Sequence, residues 1–187
     1  MSDDLVWRLG ARTPGHDYGI FRTETVEADH PRGGPRKRFS LIACADWVNV
    51  IALTAKREVV LLRQFRPGTS AIYVEIPGGM IDPGEDPAHA AARELREETG
   101  YTSERWRPLG VVAPNPAIQG NRLFTFLAED AERTAAATPD DGEVLAIHTA
   151  PLAAVYDQLR TGAIDHALVV AAFAHLMLAD DGQHLPR

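Results

Sequence analysis

The order of secondary-structure signals predicts an α+β chain or a mixed-sheet α/β/α sandwich. Most of the extended, β-branched stretches precede residue 130, and one short alanine-rich helix interrupts them. Two apolar helical stretches then close the chain, Leu152 to Thr161 and Asp165 to Ala179. That order is not a regular strand–helix alternation, so a βαβ series is not expected. The 187 residues, 45% hydrophobic and 24% charged, suit one globular domain with a sizeable core.

The elements follow in order. Residues 5 to 30 read as strands or loose coil, with breakers at Pro14-Gly15 and Gly19. His30 to Arg38, rich in Pro, Gly and Arg, is a turn cluster at the tip of a hairpin. Phe39 to Ala45 is extended again, and Trp47 to Thr54 is an apolar strand. After a turn at Lys56-Arg57-Glu58, the run to Phe65 is a strand ending in Arg63-Gln64-Phe65-Arg66-Pro67-Gly68. Ala71 to Ile76 is a further strand, stopped by Pro77-Gly78-Gly79. The mid-chain helix spans about 87 to 99, with Asp86 as N-cap, Pro87 in its first turn and Gly100 as C-terminal cap. Strands are expected at Leu109 to Ala113, Arg122 to Ala128 and Val144 to Ala150, with a mobile polar loop from Ala131 to Gly142.

A net charge of −7 argues against a duplex-binding protein, which would present a basic face. An anionic substrate would need local attraction, from a metal or a few arginines. The lone Cys44 rules out an intramolecular disulfide and fits a reducing cytosol. The acidic start leads to no apolar run of the kind a secretory signal needs. The longest apolar stretch, Ala167 to Ala179, is too short to span a membrane. The expectation is therefore a cytoplasmic protein with no nucleic-acid and no membrane partner.

The most informative segment runs from Gly79 to Tyr101. On its helix, Glu94, Glu97 and Glu98 stand at i, i+3 and i+4 and share one face. Like charges so spaced weaken an isolated helix, so a cation is the natural partner. Hard cations such as Mg²⁺ take carboxylate oxygens and often a substrate phosphate too. A wheel at roughly 100° per residue puts Ala88, Ala92, Leu95 and Thr99 on the core face and the glutamates outward, toward a cleft. Arg93 can orient a carboxylate through a bidentate pair, and a carbonyl of Pro77-Gly78-Gly79 can join a metal shell. Taken alone, the acidic run also fits a solvated helix face.

With its flanks, the segment resembles the Nudix box. The family pattern is Gly, five residues, Glu, seven residues, Arg-Glu-aliphatic, one residue, Glu-Glu, one residue, Gly-aliphatic. Gly79, Glu85, Arg93, Glu94, Leu95, Glu97, Glu98 and Gly100 fit it at every spacing, and only Tyr101 departs. The resemblance implies a Nudix-type α/β/α sandwich with a mixed sheet, hydrolysing a nucleoside diphosphate linked to another moiety with Mg²⁺, or Mn²⁺, as cofactor. It implies Glu94 and Glu98 as leading metal ligands, Glu97 as a third and the Gly78 carbonyl as a fourth. Arg93 would orient Glu94, and Glu85 would act through a bound water or as a structural partner. A glutamate beyond the box supplies a base or further ligand in the ADP-ribose pyrophosphatase branch. Glu143 occupies that place here, with Asp141 second.

Further features resemble the ADP-ribose and nucleotide-sugar branch. Glu75-Ile-Pro-Gly-Gly is similar to its Glu-x-Pro-x-Gly approach to the box, and Arg63-Gln-Phe-Arg66 to its strand end. Arg63, Arg66 and Glu75 are thereby substrate-binding candidates. Pro116 lies where a proline accompanies ADP-ribose hydrolysis. The loop Ala113 to Arg122 departs from the Ser-Pro-Gly pattern of many such enzymes. Its Asn115, Gln119, Asn121 and Arg122 suit sugar hydroxyls or phosphate, so GDP-mannose or another nucleoside diphosphate hexose competes with ADP-ribose. A binding module without catalysis is the reading from another class. The resemblance further implies that an N-terminal antiparallel strand extension, residues 1–45, builds a homodimer interface, followed by the hydrolase domain at 46–180 and a tail at 181–187. Trp7, Tyr18, Phe21 and Phe39 would pack in that interface or stack a base. The seven histidines show no zinc spacing, and His166 and His175 read as core or surface residues.

Overall fold

The computed structural model describes residues 4–140 and 142–180. Asp141 and the expected tail at 181–187 lie outside the described residues. The chain divides into two compact units, Met1–Ala45 with Ala113–Asn121, and Asp46–Val112 with Arg122–Arg187.

The first unit is a three-stranded antiparallel sheet. Its strands are β1 (Arg8–Asp17), β2 (Arg22–Asp29) and β3 (Lys37–Ala43), in the order β1-β2-β3. β1 runs straight through Pro14-Gly15, where the sequence suggested a break. Pro14 is tolerated because β1 is the outer strand of this sheet, and a register shift between Pro14 and Asp17 absorbs the missing donor. The turn cluster does form the hairpin tip between β2 and β3. Its arginines are paired, Arg36 with Asp29 at 2.8 Å, Arg38 with Glu27 at 3.3 Å and Arg32 with Asp4 at 3.1 Å. Trp7 meets His30 and Phe39 edge-on, while Tyr18 stacks on Phe21. The 113–121 segment is tied to β3 by the Ile42 amide, which donates to the Ile118 carbonyl at 2.8 Å.

Among the described residues, the second unit holds the remaining strands and three helices. The strands are β4 (Trp47–Ala52), β5 (Glu58–Arg66), β6 (Ala71–Glu75), β7 (Gly78–Met80), β8 (Tyr101–Thr102), β9 (Arg105–Val112), β10 (Leu123–Glu129), β11 (Glu132–Arg133) and β12 (Leu145–Pro151). The helices are α1 (Pro87–Thr99), α2 (Leu152–Thr161) and α3 (Ala167–Asp180). One sheet has the order β7-β4-β10-β9 and is mixed, since β4 and β10 run parallel. A second has the order β12-β5-β6 and is antiparallel.

Alternation along the central strands explains the layering. Val48, Val50, Ala52 and Val60 face one way and pack with Ala90, Ala91 and Leu95 of α1. Ile51, Leu53, Val59 and Leu61 face the other way and pack with Val155 of α2 and Val169, Ala172, Phe173 and Leu176 of α3. The result is the expected α/β/α sandwich.

The expected caps of α1 are present. The Asp86 carboxylate accepts the Ala88 amide at 2.8 Å, and Gly100, at φ 74°, donates to the Arg96 carbonyl at 2.8 Å. Two local readings change. Pro77-Gly78-Gly79 does stop the strand, since β6 ends at Glu75, but Gly78–Met80 then forms the unexpected β7 against β4. The Ala131-to-Gly142 stretch was expected as a mobile loop, yet Glu132 and Arg133 pair with Thr102 and Tyr101. Beyond them, the Thr134 and Ala135 amides bond the Gly100 carbonyl and the Thr138 amide bonds the Glu97 carbonyl. Composition missed this because main-chain groups make the contacts.

Candidate active site

The geometry of the acidic helix begins with glycines. A Cβ on Gly78 would overlap the Val48 carbonyl and the Asn49 main chain, so only glycine lets β7 lie this close to β4, and a Cβ on Gly79 would displace the Glu94 carboxylate. The Gly78 amide donates to Glu98 Oε2 at 2.8 Å. Glu98 is consequently 4% exposed and counts among the buried residues of α1 with Ala90, Ala91, Leu95 and Thr99. The wheel had turned all three glutamates outward and made Ala88 and Ala92 core. Leu95 and Thr99 are buried as the wheel expected and Ala88 packs on the core, but Glu98 is buried too, because the Gly78 amide of β7 draws its carboxylate inward.

Arg93 organises the cluster. Its Nε and Nη2 donate to the two oxygens of Glu85, both at 3.0 Å. Nη1 donates to Glu94 Oε1 at 2.9 Å and to Glu97 Oε2 at 3.3 Å, and Nη2 also donates to the Met80 carbonyl at 3.0 Å. Glu85 additionally accepts the Asp82 amide at 3.0 Å. These bonds hold the Glu85 carboxyl below its ordinary range, Arg93 first and the Asp82 amide second. Glu94 is pushed up by burial, against the pull of Arg93. Glu98 is pushed up to about 8, chiefly by burial and despite the Gly78 amide.

A second cluster stands at the end of β5. Arg66 forks onto Glu75, Nε to Oε1 and Nη2 to Oε2, both at 2.7 Å, and Glu75 is 5% exposed. Glu75 raises the Arg66 guanidinium further, as do the charges of Glu98 and Glu143. Arg63 stands three positions before Arg66, so it points to the opposite face of β5, where it is exposed. Glu143 lies two residues before β12, whose ladder pairs Leu145 with Gln64. Extending that register places Glu143 opposite Arg66. The charge of Glu143 also contributes to the raised carboxyls of Glu94 and Glu98.

The structure thus gathers Glu85, Arg93, Glu94 and Glu97 in one network, and Glu98 with Gly78 beside it. Arg66 and Glu75 form the neighbouring pair. Asn115 belongs to the first unit, where its carbonyl accepts the Ile118 and Gln119 amides. Arg122 belongs to the second, with its amide on Asp46 Oδ1 at 2.7 Å. Sequence reasoning missed His166. Its Nε2 lies 3.8 Å from Glu75 Oε2, and its ring meets Tyr73 edge-on. Tyr73 and Glu75 alternate on β6 and so share a face, but nothing in the sequence pointed from them to residue 166.

Among the described residues, no three acidic, histidine or cysteine side chains form a ready-made metal cage. Glu94 is turned to Arg93 and Glu98 to the Gly78 amide. The donor chemistry nevertheless fits a hard divalent cation. Glu94 shares the Arg93 guanidinium with Glu85 and Glu97, Glu98 is held by a neutral amide, burial raises both carboxyls, and Mg²⁺ typically uses one or two carboxylates plus substrate phosphate.

The description "NUDIX domain" fits residues 46–173, which include every residue of both clusters. The chain belongs to the NUDIX domain family. Hydrolases of this family generally need a divalent metal. The chain is 33% identical over 104 residues to an ADP-ribose pyrophosphatase of Bacillus subtilis, covering 56% of each. It is 28% identical over 166 residues to a methanol dehydrogenase activator of Bacillus methanolicus, covering 88% of this chain and 89% of that one. A solved structure described as an ADP compounds hydrolase shares the fold, with a TM-score of 0.79 and 22% identity over 95% of this chain and 97% of that one.

Proposed function

We propose that this NUDIX protein is a Mg²⁺-dependent pyrophosphohydrolase, with Mn²⁺ as an alternative metal, that splits ADP-ribose or a related nucleoside diphosphate sugar. The products are a nucleoside monophosphate and a sugar phosphate. The observation that carries this reading is the Arg93 network, which holds Glu85, Glu94 and Glu97 on one guanidinium beside buried Glu98. The name of the Bacillus subtilis relative supports the substrate class.

Glu94 and Glu98 would hold the metal, with Glu97 and the Gly78 carbonyl as further donors. Bound there, the cation would neutralise diphosphate charge and make water more acidic. Arg93 fixes the rotamer of Glu94 through Nη1 and is itself fixed by Glu85. Arg66, braced by Glu75 through Nε and Nη2, offers Nη1 to a phosphate oxygen. Water attacks one phosphorus, a new P–O bond forms and the bridging P–O bond breaks. Glu143 takes the water proton, and the departing phosphate leaves as an anion. Arg63, Asn115 and Arg122 are proposed as outer substrate contacts. GDP-mannose or another nucleoside diphosphate hexose is the second reading, because the Ala113-to-Arg122 loop departs from the usual pattern.

We further propose a cytoplasmic homodimer. Every residue of β1 is exposed, and Leu5, Val6, Leu9, Tyr18 and Ile20 present apolar surface in the same unit. The test of function is a panel of ADP-ribose, ADP-glucose, GDP-mannose, UDP-glucose and NADH with Mg²⁺, repeated with Glu98→Gln. Mg²⁺-dependent release of AMP or GMP should disappear in the variant while the fold persists. Unchanged turnover in Glu98→Gln would reject the metal assignment.

A further inference from the structure

The proposed base Glu143 stands before β12 with its amide on the Asp140 carbonyl at 3.0 Å, and catalysis needs it held to a fraction of an ångström. The preceding strap supplies a mount. The Thr134 and Ala135 amides donate to the Gly100 carbonyl at 2.9 and 3.2 Å, and the Thr138 amide donates to the Glu97 carbonyl at 2.7 Å. That last carbonyl belongs to the final turn of α1, whose main-chain acceptors have no partner within the helix. A Cβ on Gly100 would overlap the Ala135 carbonyl, so the strap is seated directly on the helix end. Five residues after Thr138 comes Glu143, and two residues later the ladder of β12 with β5 begins.

We propose that the Thr138 amide is a positioning group for Glu143. It fastens the loop to the same turn of α1 that carries Glu97 and Glu98. The chain is then anchored on α1 at Thr138 and on β5 from Leu145, on either side of Glu143. The role belongs to the main chain, so the identity of side chain 138 is immaterial. This inference rests on the reading of Glu143 as base.

The test removes the N–H and keeps everything else. Thr138→Ala retains the amide. Thr138→Pro removes it, and so does an ester at 138, made with the α-hydroxy analogue of threonine, which keeps the side chain and the backbone shape. The expected result is wild-type behaviour in Thr138→Ala. The ester and proline forms should lose kcat roughly ten-fold, with KM and the melting temperature little changed. Amide exchange at Glu143, read by NMR, should quicken in the same two forms. Unchanged kcat and unchanged exchange in the ester form would overturn the proposal, as would an equal loss in Thr138→Ala. Full turnover in Glu143→Gln would instead remove the base reading, while the exchange comparison still decides whether the strap holds the loop.

Discussion

Arg93 serves five oxygens of four residues with one planar fork, a task that lysine's point charge cannot copy. With 27% of its side chain exposed, it sits where hydrogen bonds to charged groups retain strength. Arg93→Ala should cost about 2–3 kcal/mol of stability and most of the activity, and Arg93→Lys should recover little of either. Chemical denaturation and a turnover assay check both. Glu98 makes a pH prediction. Its ordinary value is 4.5 and burial lifts it to about 8. A carboxyl raised in the folded state favours folding below its ordinary value, and that benefit is lost as pH climbs from 4.5 to 8. In EDTA the melting temperature should therefore fall across this window, and added Mg²⁺ should raise it more at pH 8 than at pH 5. Glu98→Gln should flatten the response. A variant with the wild-type slope would count against the argument.

At the scale of elements, α1 is the most legible part of the chain. Its limits, both caps and its first-turn proline follow from local chemistry, and the structure has them at 86, 87 and 100. Asp86→Ala should cost about 1 kcal/mol and lower the melting temperature by roughly 2–4 °C, with kcat intact, as calorimetry and assay can show. Gly100→Ala should cost more, since it meets both a left-handed φ of 74° and the Ala135 carbonyl. The burial of Glu98 was not legible. A wheel places apolar residues inward and charges outward, and it cannot know that the Gly78 amide of β7 draws a carboxylate inward. β8 and β11 escaped notice for a related reason. Two-residue ladders carry no period, and only the return of the chain past Gly100 creates them.

For the whole molecule, the proposed dimer gives the clearest experiment. Sedimentation at micromolar concentration should find twice the 20.4 kDa chain mass, and Leu9→Lys on β1 should yield monomer. A wild-type monomer would end that proposal. The sequence by itself determined the α/β/α class, the family and the acidic chemistry, because each rests on local spacing. Strand alternation sets the layers, cap residues set α1, and the box residues lie within one short stretch of chain. Only the tertiary structure decided which charges meet across distance. The Arg66–Glu75 fork, His166 beside Glu75, and the strap from Gly100 toward Glu143 all join residues through folded backbone. Such pairings depend on strand register and chain return, which no local pattern of side chains encodes.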